Sequence, residues 1–86
     1  MTSPIPKWLT RRYAILWEKF KEGEFTYEDA KNTLGDKEEV AIVVLSMLKK
    51  SEWIEIEKNP KDKRTKLYKL VAPEKAIMQI AKLEGL

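Results

Sequence analysis

Residues 35–71 read GDKEEVAIVVLSMLKKSEWIEIEKNPKDKRTKLYKLV, and the hydrophobic period changes inside that stretch. Up to Lys50 it is an apolar run, VAIVVLSML, preceded by Asp36 and Glu39 at the spacing of a capping box. Lys49 and Lys50 follow, where cations complement the end of a helix dipole. Valine and isoleucine suit a strand nearly as well, but the cap, the length and the terminal lysines favour a helix. After Ser51 the period becomes two. WIEIEK alternates, NPKDKR supplies turn residues and KLYKLV alternates again, which is the pattern of a β-hairpin.

Toward the N-terminus a short helix is expected with Thr26 as its N-cap and Asp29 three residues on, close to a capping box, ending at Leu34 with Gly35 able to take the left-handed position. Ahead of it, Pro4 and Pro6 announce a first helix that carries Leu9, Tyr13, Leu16, Trp17 and Phe20 on one stripe and runs to about Glu22, before Gly23. Trp8 and Ile15 fall on a separate face with Arg12 and Lys19, so Trp8 either covers the C-terminal helix or belongs to a dimer contact. Beyond the hairpin, Pro73 opens a last helix with Ala76, Ile77, Ile80, Ala81 and Leu83 on one arc and Lys75, Gln79 and Lys82 outside it. Leu16, Phe20, Leu34, Leu45, Leu48, Ile54 and Leu70 are the expected core. With no repeat, linker or low-complexity segment, residues 1–86 are expected to form one domain. Three helices, a two-stranded wing hairpin and a C-terminal helix make an α+β, mainly helical chain in the order of a winged helix-turn-helix.

Composition narrows the function. A chain of 86 residues, 43% apolar and 36% charged, is globular in character, and a domain of this size buries only about 60% of its unfolded surface. Cysteine and histidine are absent, which removes disulfides, the usual metal ligands, cysteine nucleophiles and the usual general base near neutral pH. Glu55 and Glu57 share a strand face and Ser46 has no candidate base, so neither suggests catalysis. No enzyme, cofactor or small-molecule effector is expected. No signal-peptide pattern or membrane-length apolar run appears, and a cytoplasmic location is expected. Lysine and glutamate are abundant while amides are confined to Asn32, Asn59 and Gln79, a bias of heat-adapted proteins.

The stretch DKRTKLYKL, from Asp62 to Leu70, resembles the wing of MarR-type transcriptional regulators, with Asp62, Arg64, Lys66, Leu67 and Leu70 matching the pattern. The preceding LKKSEWIE resembles that family's passage from recognition helix to first wing strand, although the family usually has glycine where Ser51 and Glu52 stand and threonine where Val71 stands. The resemblance implies a dimeric DNA-binding regulator in which Arg64 approaches the minor groove and Asp62 orients it. PKWLTRRYAILWEKF together with EFTYEDAKNTLG also resembles a segment found ahead of archaeal nucleotidyltransferase-like domains, and no catalytic nucleotidyltransferase motif accompanies it.

Charge is distributed unevenly. Residues 58–69 hold six cations against Asp62 alone, whereas residues 24–57 hold four lysines against nine acids. A solvated lysine-rich hairpin would look similar. If Ala41, Val44, Leu45 and Leu48 face the core, the outward side of the third helix carries Glu39, Val43, Ser46 and Lys50, flanked by Val40, Ile42 and Met47. None of these is an arginine, asparagine or glutamine that pairs with a purine edge. Binding to duplex DNA is therefore expected to be backbone-directed, through Lys61, Lys63, Arg64 and Lys66 on the wing with Ser46, Lys49 and Lys50 on the third helix. The apolar arc of that helix, roughly 220° wide, exceeds what one buried face requires. Other elements of the chain cover it, or it serves a partner, and a homodimer or partner surface is expected among Trp8, Ile15, Val40, Val43, Met47, Ile77 and Ile80.

Overall fold

The computed structural model describes residues 2–62 and 65–83, the side chain of Leu83 excepted. Its elements are α1 (Lys7–Phe20), α2 (Tyr27–Leu34), α3 (Glu38–Lys50), β1 (Ile54–Lys58), β2 (Lys66–Leu70) and α4 (Pro73–Leu83). The order is the one expected, and its local causes are visible at the ends of the helices.

At the start of α1 the Pro6 carbonyl accepts from the backbone N–H groups of Leu9 and Thr10 and from the Thr10 hydroxyl. The helix stops at Phe20, two residues short of the expected end, because Lys21 leaves helical space at φ 52, ψ −123 and the Gly23 N–H closes a turn onto the Phe20 carbonyl. A Cβ at Gly23 would come within 3.0 Å of that same carbonyl oxygen, so the turn leaves little room for a side chain. The α2 capping box forms as expected: Thr26 Oγ1 accepts from the Asp29 N–H, and Asp29 Oδ2 accepts from the Thr26 N–H. Gly35 then ends α2 in the left-handed region at φ 69.

The start of α3 departs from expectation. Its N-cap is Lys37, with no side-chain cap, and Asp36 instead accepts from the Arg12 guanidinium at 3.1 Å. An arginine within reach is a stronger partner for the carboxylate than the helix N–H groups, and the pair ties α1 to the α2–α3 turn. At the other end Trp53 N–H bonds the Leu48 carbonyl and Glu52 N–H the Lys49 carbonyl, a Schellman closure with Glu52 at φ 60.

Leu9, Tyr13 and Leu16 from α1 meet Ala41, Val44, Leu45 and Leu48 from α3, together with Phe25, Ala30, Trp53, Ile54, Leu70 and Ala76. Phe20 and Leu34, expected in the core, are half-buried and pack against it from its edge. The Tyr13 ring meets Trp53 edge-on at 4.9 Å, and its hydroxyl donates to the Val71 carbonyl. Burial pushes the Tyr13 phenol up to about 12.

Two long-range ties close the structure. Phe25 and Tyr68 exchange backbone hydrogen bonds of 2.9 and 2.7 Å, giving the hairpin a third, one-residue strand. Thr2 is buried, and its N–H and hydroxyl both donate to Gln79 Oε1 on α4 while the hydroxyl also reaches the Glu52 carbonyl. Gln79 therefore points onto the N-terminal segment and not outside as expected. Ile77 shares its helix with buried Ala76 yet is exposed.

Candidate nucleic-acid interface

The hairpin is antiparallel with Ile54 opposite Leu70, Ile56 opposite Tyr68 and Lys58 opposite Lys66. Alternation turns those six side chains to one face, where Ile54 and Leu70 enter the core and Lys58 and Lys66 are exposed. Cations placed directly opposite one another repel, so this end of the hairpin is a site of concentrated positive potential. On the other face Glu55 stands opposite Lys69 and Glu57 opposite Leu67, so that face carries two acids and one lysine.

Between the strands the turn is organised by side-chain capping. Asn59 Oδ1 accepts from the Lys61 N–H at 2.9 Å, and Asp62 Oδ2 accepts from the Thr65 hydroxyl at 3.0 Å. Lys61 is exposed. Lys63 and Arg64, expected to carry the wing contact, lie outside the described residues, and with them the expected pairing of Asp62 with Arg64.

On α3 the four expected inward residues are the four that are buried. The opposite side presents Glu38, Glu39, Ile42, Val43, Ser46, Lys49 and Lys50 to solvent. Val40 and Met47 on its flank are half-buried against the core, and so is Ile80 on α4. Trp8 and Ile15 are exposed on α1, and the Arg12 guanidinium lies 5.6 Å from the centre of the Trp8 ring.

Sequence reasoning passed over a cleft at the base of the wing. About 370 Å³ in volume, it is lined by Thr26, Tyr27, Glu28, Thr65, Lys66 and Tyr68. The Phe25–Tyr68 pairing brings the start of α2 against β2 and so creates it. Desolvation, followed by the charges of Glu38 and Glu28, raises the Tyr27 phenol, and burial raises that of Tyr68, so both stay neutral donors near neutral pH. The signal available in the sequence was an aromatic residue placed among lysines in KLYKL. A larger groove, about 860 Å³, runs from the wing to α4 past Lys49, Lys58, Lys66, Lys75 and Lys82, with Glu55 and Glu57 on its wall. Among the described residues no group of acidic side chains is placed to hold a metal ion, and no helix is long and apolar enough to cross a membrane.

Comparison with solved structures places this architecture. A mutant of MarR from E. coli, complexed with operator DNA, matches with a TM-score of 0.66 and 26% identity over 94% of this chain and 56% of that one. The chain folds as a MarR-like winged helix-turn-helix. ZitR of Lactococcus lactis, in apo form, gives a TM-score of 0.66 at 21% identity over 88% of this chain and 56% of its own. No protein-family model matches. In sequence, the methylase subunit of the type I restriction enzyme MjaVII from Methanocaldococcus jannaschii is 39% identical over 74 residues. The match covers 83% of this chain and 13% of the methylase subunit, so the chain spans a small part of that relative and about half of the MarR chain. In MarR-like terms α2 and α3 are the helix-turn-helix and β1–β2 is the wing. Glu52 closes α3 in the left-handed region that favours glycine.

Proposed function

We propose that this chain is a non-catalytic winged-helix module of transcription regulation that grips duplex DNA by its phosphates, with the wing as the principal contact. The observation that carries this reading is the facing pair Lys58 and Lys66 at the loop end of the hairpin, adjoining a turn that holds Lys61, Lys63 and Arg64 with Asp62 as its one acid. Such a cluster is stabilised by an anion lying along it, and a phosphate backbone supplies several in register. The MarR match, itself to a complex with operator DNA, supports the same partner. The outward residues of α3 offer no bidentate partner for a purine, so affinity comes from backbone contacts and varies little with sequence.

The likeness to a methylase subunit favours a second setting for the same activity: a DNA-gripping module of the kind that a modifying assembly carries as one part of a longer chain. The grip is common to both settings, and one titration tests it. Affinity for two unrelated duplexes should fall steeply and alike with salt. Replacing Lys61 and Lys66 with alanine should flatten the log–log slope by about 0.9 for each phosphate that is no longer neutralised. Absence of binding at low salt, or binding indifferent to salt, overturns the proposal.

A further inference from the structure

The two strands of the wing use their outward backbone groups differently. The Val71 N–H bonds the Trp53 carbonyl, which makes the odd residues of β1 the hydrogen-bonded positions of the antiparallel ladder. Ile54, Ile56 and Lys58 therefore turn their N–H and C=O groups away from β2. On β2 the corresponding groups of Tyr68 are taken by Phe25. On β1, among the described residues, no backbone group meets those of Ile56 or Lys58. Both residues line the groove of about 860 Å³, and Lys75, Gln79 and Lys82 of α4 are also on its wall. A strand edge left in this way accepts another strand through main-chain hydrogen bonds.

The side chains around this edge specify what can be added to it. On the core face stand half-buried Ile56 and exposed Lys58. On that side α4, whose Ala76 joins the core with Ile54, brings Lys75 and Lys82 to the groove. The opposite face carries Glu55 and Glu57, both exposed. An added strand meets cations along one face and acids along the other, so its own side chains alternate to match. A second copy of β1 fails this requirement, because two-fold antiparallel registers centred at Glu55, Ile56 or Glu57 all set these acids against those of the second copy. Duplex DNA fails it too, since Glu55 and Glu57 repel its phosphates, and phosphates offer no donor to the free carbonyls. We propose that the free edge of β1 docks an extended segment of a partner protein, added antiparallel as a further strand. Its residues facing α4 are acidic around an aliphatic at the level of Ile56, and those between them are basic, beside Glu55 and Glu57. This partner is additional to the phosphate grip of the wing and does not depend on it.

The probe is a blocked pentapeptide in the order glutamate, lysine, valine, lysine, glutamate, titrated into the isotope-labelled whole chain with amide chemical shifts as the readout. It should move the Ile56 and Lys58 amides and slow their exchange with solvent. An isomer of the same composition and charge, in the order lysine, lysine, valine, glutamate, glutamate, should bind about tenfold more weakly. N-methylation at the valine, whose N–H faces Ile56, should also cost about tenfold, whereas N-methylation at the two lysines, whose N–H groups face away, should cost little. Ile56→Pro removes an outward N–H of β1 without touching a bond to β2, and should lose the peptide. Should that variant fail to fold, the two methylated peptides decide. No shift at millimolar peptide overturns the proposal. So does equal binding of the two isomers, indifference to the site of methylation, or a generic DNA duplex that moves the Ile56 and Lys58 amides where the peptide does not.

Discussion

The two faces of α3 share thirteen residues of one helix and follow different rules. Inward, Ala41, Val44, Leu45 and Leu48 recur at helical spacing with no polar atom among them, and each is buried. Outward, acids, aliphatics, a hydroxyl and lysines follow one another along the axis, and packing within the chain fixes none of them. The inner face is fixed by packing, whereas the outer face carries acids at its start and lysines at its end, the order the helix dipole favours. A helix that read bases would carry polar side chains where Ile42 and Val43 stand.

The largest expected effect separates the faces directly. Leu48→Ala should cost about 2–5 kcal/mol, a large part of the stability of a small domain, whereas Val43→Ala on the same helix should stay within about 0.5 kcal/mol. Equal losses, read from urea midpoints, would erase the distinction.

A second test titrates the buried side. The Tyr13 phenol is pushed up to about 12 in the folded chain against an ordinary value of 10. The fold therefore favours the neutral phenol, and its contribution is complete below about pH 10 and is lost as pH rises toward 12. The burial-raised Tyr68 and Tyr27 act in the same direction. Tyr13→Phe gives up the hydrogen bond to Val71 and should be less stable at neutral pH, yet its stability should decline less steeply through the alkaline range. Parallel profiles for parent and variant would show that Tyr13 does not sense burial.

The smallest effect lies at the end of α3, where neither face is altered. Gly35 closes α2 at φ 69 and Glu52 closes α3 at φ 60, so two similar backbone turns differ in having a Cβ. Glu52→Gly should raise stability by about 1 kcal/mol, measured as a higher melting temperature, with Glu52→Ala as the control that removes the side chain and keeps the strain.

Much of this was legible in advance because it is written locally. The Thr26–Asp29 box, Gly35, the inward tetrad of α3 and the change to period two at Trp53 each depend on residues within a few positions of one another. The early end of α1 at Lys21 is a local departure; the others are long-range. Asp36 carries a cap signature, and what overrides it is Arg12, 24 residues away. Phe25 pairs with Tyr68 through one residue, too short for any period to reveal. Gln79 looks like a solvent position on its helix until Thr2 arrives from the other end of the chain. The candidate site was legible as charge, in the run from Lys58 to Lys69. The opposition of Lys58 to Lys66 and the cleft behind Tyr68 required the register and the Phe25 bridge.

The clasp between Thr2 and Gln79 spans 77 residues, and this bears on the order in which the molecule assembles. Helices and hairpin form from near neighbours, whereas joining the two ends costs loop-closure entropy that only an already compact chain has largely met. Segment 2–5 and α4 are therefore expected to dock last in folding and to open first in the native state. Exchange of their amides with solvent should proceed through partial opening, while that of Leu48 and its neighbours should require the whole chain to unfold.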